Sequence, residues 1–371
     1  MPRHASVLLP GLADVHVHLR VPGGEHKEDV RSGTAAALAG GFTTVLAMPN
    51  TDPPLVTLND LRSAQHRARA EALCDVDYFA GASADHFDEL PHLATEAVGL
   101  KVYLDQTFGP LRIRGLLALL TCFQRWNSPK PIAVHAEGES IAVVIGMAAA
   151  LGQPVHLCHV SRREEVLLIA HAKQRGLPIT CEVTPHHLHL TEADLPRLGA
   201  LGDMRPRLGS QADQEALWAH IDTTIDCVAT DHAPHTREEK DVAYPQSHSG
   251  MTGVQTLVPT MLDHVNAGRL SLQRFVDMTS AGPNRLFGIA NKGRIAVGYD
   301  ADLTVVDLKR RETITNDWVK SRAGWTPYDG VAVTGWPVGT VIRGARVMWD
   351  GELVTPASGQ PIRFLEALPK S

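Results

Sequence analysis

The sequence predicts a (β/α)8 TIM-like barrel carrying a small β-rich subdomain. Eight short runs rich in Val, Ile and Ala recur up to residue 232, and helix-like segments lie between most of them. Near residue 293 this alternation gives way to turn and strand patterns. A chain of 371 residues has room for a barrel of about 250 residues and a smaller unit. Eight strand–helix units favour a closed barrel over an open doubly wound sheet, which is the alternative architecture.

The predicted strands and helices of the barrel follow one another along the chain. The strands lie near residues 13–19, 43–49, 75–81, 99–104, 131–137, 154–161, 178–184 and 226–232. Amphipathic or Ala/Leu-rich segments predict helices at 28–40, 57–73, 86–98, 111–125, 138–151, 162–175, 211–220 and 254–267. Gly or Pro precedes several strands, as in Gly152-Gln153-Pro154, and indicates that the preceding helix stops there.

The β-rich subdomain is predicted mainly from the C-terminal segment. Residues 293–307 read as a turn followed by a strand, and 338–343 and 346–349 as two strands joined by Gly344 and Ala345. We therefore expect a barrel domain over residues 8–292. Residues 293–371, together with 1–7, would form the small subdomain and a C-terminal extension.

Composition indicates a soluble globular protein. Hydrophobic residues make up 44%, enough for a large core. A net charge of −6 and an aromatic content of 5% argue against a nucleic-acid or anionic-membrane binder. No apolar stretch reaches the roughly 20 residues that a membrane helix needs. The five cysteines form no Cys-x-x-Cys pair, so we expect free thiols in a reducing, cytoplasmic setting.

Polar side chains stand at the ends of six predicted strands. His16 and His18 are two residues apart on the first strand, so their side chains point to the same face. The ends of the later strands carry Lys101, His135, His159, Glu182 and Asp231. Barrel active sites form at the carboxyl ends of the strands, and imidazoles that share a face can hold metal ions. Independent placement would not put all these residues at corresponding ends, so we predict that they meet in one site.

Lys101 needs an explanation of its own, because metal ions would repel its ammonium group. The lysine is displaced, neutral, or converted by carbon dioxide into a carbamate, an anionic group that can bridge two metals. The sequence leaves these three states open.

Five motifs occur in order along the chain. They are Gly11-Leu12-Ala13-Asp14-Val15-His16-Val17-His18-Leu19-Arg20, Ala47-Met48-Pro49-Asn50-Thr51, and the segments 99–104, 180–188 and 230–236. Together they resemble the dihydroorotase family of the amidohydrolase superfamily. The resemblance is greatest to the multi-zinc type that includes the dihydroorotase domain of multifunctional pyrimidine-synthesis proteins, and it runs from about residue 8 to residue 350.

The resemblance implies a binuclear zinc site. The first zinc would be held by His16, His18, carboxylated Lys101 and Asp231. The second would be held by carboxylated Lys101, His135 and His159. Cys158 and Glu182 match positions that, with His16, bind a third zinc in some relatives. The alternative for Cys158 is a small buried apolar residue beside the site.

The resemblance also implies a reaction, the reversible interconversion of N-carbamoyl-L-aspartate and L-dihydroorotate in de novo pyrimidine biosynthesis. Zinc would lower the pKa of its bound water toward about 7 and polarise the ring carbonyl. Asp231 would accept the proton and pass it to the leaving ring nitrogen.

Several residues are expected to bind the substrate. Arg20 lies on the same strand face as His16 and His18 and can form a forked pair with a carboxylate. The resemblance adds Asn50, Arg205 and His235. It also implies backbone contacts to the pyrimidine ring from residues 249–256, here called the strand-eight loop, which includes Gly253.

Two loops qualify this expectation. Residues 105–109 resemble a mobile loop that closes over substrate, with Thr107 and Phe108 at its tip. In the strand-eight loop, Thr252 replaces a common proline and Gln255 a common glutamate, which puts the rigidity of the loop and its discrimination between rings in doubt.

Other functions compete with this reading. A dihydropyrimidinase, hydantoinase or allantoinase acts on substrates that generally lack a carboxylate, so Arg20 and Asn50 argue for the dihydroorotase. An inactive dihydroorotase-like scaffold for aspartate transcarbamoylase would usually have lost metal ligands. Here all six candidate ligands of the binuclear site are present: His16, His18, Lys101, His135, His159 and Asp231. The expected partners are the small-molecule substrate, a second copy in a homodimer and a complex with aspartate transcarbamoylase; no nucleic-acid or membrane partner is expected.

Overall fold

The computed structural model describes residues 6–107, 109–356 and 359–365, and eight strand positions in this part of the chain form a parallel barrel. The first strand, β1 (Ser6–Pro10), lies outside the barrel. The barrel strands are β2 (Leu12–Val17), β3 (Phe42–Ala47), β4 (Asp75–Tyr78) continued by β5 (Ala80–Gly81), β6 (Leu100–Tyr103), β7 (Ile132–His135), β8 (Val155–Leu157), β9 (Ile179–Val183) and β10 (Cys227–Val228). The predicted barrel is confirmed, and each predicted strand overlaps one of these positions.

The barrel closes between its first and last strands. β2, β3 and β4 pair in parallel, and β5 to β10 form a second parallel series. A parallel bridge joins Val17 to His232, and the backbone nitrogen of His18 donates to the carbonyl of His232 at 2.8 Å. The seam therefore lies at the carboxyl end of both strands, where barrel active sites form.

Helices surround the barrel. They are α1 (Val30–Gly40), α2 (Leu58–Glu71), α3 (Leu90–Glu96), α4 (Leu116–Arg125), α5 (Glu139–Leu151), α6 (Arg163–Gln174), α7 (Pro185–His189), α8 (Leu195–Leu198), α9 (Gln211–Ala219), α10 (Arg237–Lys240), α11 (Leu257–Asn266), α12 (Leu272–Val276) and α13 (Gly282–Leu286). Among the described residues, none of them is long and apolar enough to cross a bilayer.

The helix boundaries have local causes. The side chain of Asp29 accepts from the backbone nitrogen of Ser32, whose hydroxyl pairs in turn with the backbone of Asp29, so α1 begins with a reciprocal cap. Gly41 ends α1 in the left-handed conformation, with φ of 96°, which glycine adopts without steric cost. Thr57 and Asp60 form the same kind of cap on α2.

The second sheet is antiparallel and has the order β1–β11–β12–β13–β14. Its later strands are β11 (Leu303–Thr313), β12 (Ala332–Ile342), β13 (Ala345–Trp349) and β14 (Glu352–Leu353). β12 begins six residues before the predicted start at residue 338, and residues 293–302 contribute turns before β11 begins. β1 pairs with β11, so residues 6–10 join the subdomain sheet before the chain enters the barrel. The domain limits at residues 8 and 293 stay predictions.

Residues 314–331, which connect β11 to β12, pack onto loops at the carboxyl end of the barrel. Trp325 and Tyr328 are buried in an apolar cluster with Met204 and Met251. The indole nitrogen of Trp325 donates to the backbone carbonyl of His235 at 2.8 Å. The subdomain thus fixes loops that follow the barrel strands.

Candidate metal centre

The side chains predicted at the strand ends lie at the carboxyl end of the barrel. Three residues there, Arg20, His159 and Asp231, have left-handed backbone conformations, with φ of 58°, 36° and 45°. Non-glycine residues rarely adopt this conformation, and at functional sites it is held in place by the surrounding structure. The turns after three strands are thereby shaped to direct their side chains.

His16, His18 and Asp231 form the first cluster. Nε2 of His18 lies 2.9 Å from Oδ1 of Asp231, and Nε2 of His16 lies 3.3 Å from the same oxygen. All three residues are buried. Burial raises the pKa of Asp231, but the two imidazoles outweigh it and hold that pKa well below its usual range. The aspartate is therefore an anion at neutral pH.

His16 also contacts a second carboxylate. Its Nδ1 lies 2.5 Å from Oε1 of Glu182. Burial and Lys101 lower the pKa of His16, but Glu182 and Asp231 outweigh them and raise it to about 10. Two anions thus converge on one imidazole, which is an arrangement that favours a cation between them.

His135 and His159 form the second cluster. Nδ1 of His135 lies 2.9 Å from Nε2 of His159, and their ring centroids are 4.7 Å apart. Burial lowers the pKa of both imidazoles, so both are neutral. Nδ1 of His159 is buried and has no hydrogen-bond partner within the described ranges, and Nε2 of His135 has only a long contact of 3.4 Å to Oε1 of Glu137. Buried polar atoms of this kind normally bind something, here a ligand from outside the chain.

Lys101 lies inside the barrel and has no exposed surface. Its Nζ donates to Sγ of Cys158 at 2.9 Å and lies 5.1 Å from the centre of the Tyr103 ring. The charge of this lysine opposes protonation of His16, His135 and His159, so its side chain lies near both clusters.

Glu182 lies between two groups of donor atoms. Donor atoms of His16, Cys158 and Glu182 lie within 4.8 Å of one another, as the predicted third site requires. A further group with the same spacing consists of His156, Glu182 and Cys227. Nε2 of His156 lies 3.1 Å from Oε2 of Glu182, so this histidine orients the carboxylate from the side away from His16.

Sequence reasoning missed Asp14, which supports this site. Asp14 has no exposed surface, and it accepts from the backbone nitrogens of Thr230 and His16 at 3.1 Å and 3.2 Å. Burial raises its pKa to about 7. A carboxylate in the middle of an apolar strand was a signal that could have identified it.

A cavity of about 330 Å³ opens beside the first cluster, and its lining includes Arg20, Lys27 and Asn50. Nε of Arg20 donates to the carbonyl of Pro234 at 3.1 Å, and Nη2 lies 3.2 Å from Nε2 of His235. Oδ1 of Asn50 lies 2.7 Å from Nδ1 of His18. Burial lowers the pKa of Arg20 to about 10, so the guanidinium remains charged at neutral pH. Three of the predicted substrate residues are therefore brought together.

The remaining predicted residues lie farther out. Arg205 is half-buried in the loops between β9 and β10. Burial raises the pKa of Glu137, but the contact with His135 and, to a smaller extent, the charge of Arg205 outweigh it and lower that pKa. Thr107 is half-buried in the loop after β6, and Gly109 from this loop lines the cavity. Phe108 lies outside the described residues.

The unusual strand-eight loop is buried and anchored. Oγ1 of Thr252 donates to the carbonyl of Trp325 at 2.7 Å. The side chain of Gln255 donates to the carbonyl of Trp318 at 2.6 Å and accepts from the backbone nitrogen of Lys320 at 2.8 Å. The two substituted positions thus tie the loop to residues 314–331, which answers the doubt about its rigidity.

The donor set of the two clusters fits zinc. Imidazoles, a carboxylate and the nearby thiol of Cys158 are ligand types that zinc takes in proteins, and here all of them are buried, with Nδ1 of His159 lacking a hydrogen-bond partner within the described ranges. The arrangement can hold metal ions next to an anionic proton acceptor and a basic cavity.

Comparison with known proteins identifies the family of the chain. A family model described as "Amidohydrolase family" matches residues 7–347. The chain is 42% identical to the multifunctional protein CAD of Squalus acanthias over 98% of its own length, but spans only 16% of that protein. It is 37% identical to a dihydroorotase of Pyrococcus furiosus, over 96% of this chain and 85% of the relative. The L-hydantoinase of Arthrobacter aurescens superimposes with a TM-score of 0.93 at 28% identity, covering 96% of this chain and 89% of that structure.

Proposed function

The chain belongs to the amidohydrolase family, and on that premise we propose that it is a zinc-dependent dihydroorotase of de novo pyrimidine biosynthesis. It would interconvert N-carbamoyl-L-aspartate and L-dihydroorotate. The observation that carries the proposal is the position of Arg20, whose buried guanidinium lines a cavity beside the His16–His18–Asp231 cluster. A cyclic amide that also bears a carboxylate fits that combination.

Zinc would be held by the residues of the two clusters. His16, His18 and Asp231 would hold the first ion, and His135 and His159 the second. Cys158 and Glu182, with His16, would hold a third. When bound, zinc activates water and polarises the scissile carbonyl.

Lys101 would join the two clusters as a carbamate. Its ammonium would lose a proton, the neutral amine would add carbon dioxide, and the carbamic acid so formed would lose a second proton to solvent, so that a buried cation becomes an anionic oxygen donor. Its complete burial and its hydrogen bond to the thiol of Cys158 support this assignment, because burying an ammonium group without a paired anion carries a high desolvation cost.

Asp231 would move the proton. Because His16 and His18 hold its pKa low, it is an anion that can accept the proton released when water adds to the ring carbonyl. It then returns this proton to the ring nitrogen as the carbon–nitrogen bond breaks. In the closing direction it removes the proton from the carbamoyl nitrogen.

The basic cavity would select the substrate. Arg20 would pair with the carboxylate of dihydroorotate, with Asn50 and His235 beside it. Arg205 and the backbone of Gly253 would complete the contacts. The loop after β6, with Thr107 and Phe108, would close over the cavity, which Gly109 already lines.

The decisive experiment follows the absorbance of dihydroorotate as the zinc-loaded protein consumes it, beside dihydrouracil and allantoin. We expect turnover of dihydroorotate alone, and none by an Asp231→Asn variant that folds and retains a buried carboxamide. Faster turnover of dihydrouracil or a hydantoin would instead favour the second candidate, a hydantoinase, which the structural likeness to L-hydantoinase supports. No turnover together with no bound zinc would favour an inactive scaffold.

The assembly and location of the chain are part of the same proposal. Leu116 and Leu117 on α4 and Val143 on α5 are 66%, 77% and 43% exposed, and this apolar face supports a homodimer. A complex with aspartate transcarbamoylase in the cytoplasm would place consecutive reactions together. Sedimentation of the protein alone and with that enzyme tests both assemblies.

A further inference from the structure

Glu28 is a buried carboxylate that none of the proposed steps uses. It lies just before α1 and has no exposed surface. Oε1 accepts from the hydroxyl of Ser32 and, at 3.0 Å, from the backbone nitrogen of Arg322. Oε2 accepts from the hydroxyl of Ser321 and lies 3.2 Å from Nε2 of His232. A buried carboxylate with four donors is fixed in position.

The contacts of His232 determine which of its nitrogens carries the proton. The backbone nitrogen of Gly253 donates to Nδ1 at 3.1 Å. A backbone N–H is always a donor, so Nδ1 must present a lone pair and the proton must be on Nε2. Nε2 then donates to Glu28. The ring thereby connects the backbone of the strand-eight loop to the buried carboxylate through two hydrogen bonds.

His232 also joins the strand-eight loop to the seam of the barrel. Its carbonyl accepts from the backbone nitrogen of His18 at 2.8 Å, and a parallel bridge links it to Met251. The backbone nitrogen of Ala233 donates to the carbonyl of Met251 at 2.8 Å. His232 therefore links the loop directly to the strand that carries His16 and His18, whereas Thr252 and Gln255 link it to residues 314–331.

We propose that Glu28 and His232 are a positioning pair that fixes the backbone of Gly253 for contact with the substrate ring. The inference rests on the proposed function, because that function supplies the ring. Neither residue touches substrate; the pair acts through the loop. Glu28 specifies the tautomer of His232, and the tautomer specifies where the Gly253 amide is held.

A purely structural role makes a different prediction. Ser32 and the backbone of Arg322 bind the Oε1 side of the same carboxylate, away from His232. If the carboxylate only stabilises the fold, losing a donor on either side would lower stability without changing substrate affinity. If the pair positions the loop, only the His232 side would affect affinity.

The test replaces Glu28 with glutamine. Glutamine offers one oxygen and one NH2 group, so in either rotamer a donor, Nε2 of His232 or the nitrogen of Arg322, faces the NH2 group. We expect the Glu28→Gln variant to bind zinc as the wild type does, and its KM for dihydroorotate to rise about tenfold, with kcat changed less than threefold. The matched control, Ser32→Ala, should lower the melting temperature but leave KM within twofold.

A second measurement does not depend on a variant that folds. In the wild type, the ¹⁵N shifts and long-range ¹H–¹⁵N correlations of the His232 ring should report a proton on Nε2 and a lone pair on Nδ1. A proton on Nδ1 in the wild type, or a wild-type KM in a Glu28→Gln variant whose His232 ring no longer carries the proton on Nε2, would overturn the positioning pair. A wild type that does not turn over dihydroorotate would overturn the proposed function instead, and the ring tautomer would then decide the pair by itself.

Discussion

Replacing Arg20 with methionine tests the predicted carboxylate pocket most directly. Methionine keeps most of the length of the side chain but removes the charge and the donors. Arg20 already has a positive φ of 58°, and methionine is no worse there, so the substitution adds no new backbone strain. Any loss of affinity can therefore be attributed to the guanidinium.

The expected loss follows from the burial of the site. Arg20 is 5% exposed, so water cannot replace a lost contact at little cost. A hydrogen bond to a charged group contributes about 1.5–3 kcal/mol, and a forked pair makes two of them. The lower value gives about 3 kcal/mol, which corresponds to a rise in KM on the order of 100-fold.

The assay compares KM for dihydroorotate and zinc content between the wild type and the Arg20→Met variant. Zinc content should be unchanged, because the guanidinium lies toward Pro234 and His235 rather than in the donor clusters. Arg62→Met is the matched control, since Arg62 pairs with Glu96 on the surface and should leave KM unaltered. An Arg20→Met variant with KM within threefold of the wild type would refute the assignment of the pocket.

Three further outcomes are expected. Lys101→Ala should lose turnover and most bound zinc, measured by metal analysis; normal turnover would rule out its bridging role. Burial lowers the pKa of His187 to about 4, so its contribution to stability is complete above about pH 6.5 and is lost as the pH falls toward 4. Between pH 7 and pH 4, the free energy of unfolding of a His187→Gln variant, measured with urea, should therefore fall by about 3 kcal/mol less than that of the wild type. An equal fall in the two proteins would contradict this. Gly40→Ala would place a methyl group 2.4 Å from the carbonyl of Val254, so we expect a loss of several kcal/mol. Gly146→Ala, where nothing lies within 4 Å, should gain up to about 1 kcal/mol; equal effects of the two substitutions would be evidence against the close packing of α1 on the strand-eight loop.

The barrel could be predicted from the sequence because its signals are local. A strand such as β7 is a short apolar run after a proline, and its helix follows within a few residues. The polar residues at strand ends could be predicted as a group for the same reason. Once the strands are parallel, their carboxyl ends must meet, so His16 and Asp231 come together although 215 residues of sequence separate them.

What the sequence could not show depends on contacts between distant segments. Glu28 looks like an ordinary charge near a helix start, and only the folded chain brings it to His232 and Ser321. Residues 314–331 have no regular period, so nothing indicated that they would anchor Thr252 and Gln255. The unusual residues at these two positions were visible in the sequence, but the groups that anchor them lie 63 to 73 residues further along the chain.

The left-handed turns at Arg20, His159 and Asp231 set a limit on how this protein can be improved. Each such turn costs about 1 kcal/mol or more, which glycine or asparagine would recover. A selection of random variants for thermal stability alone would therefore favour glycine or asparagine at these three positions. Such variants would lack the side chains that the proposed activity needs. Thermal stability and activity place opposite requirements on the same three backbone conformations. A screen for stabilised variants therefore has to select for activity as well as for stability.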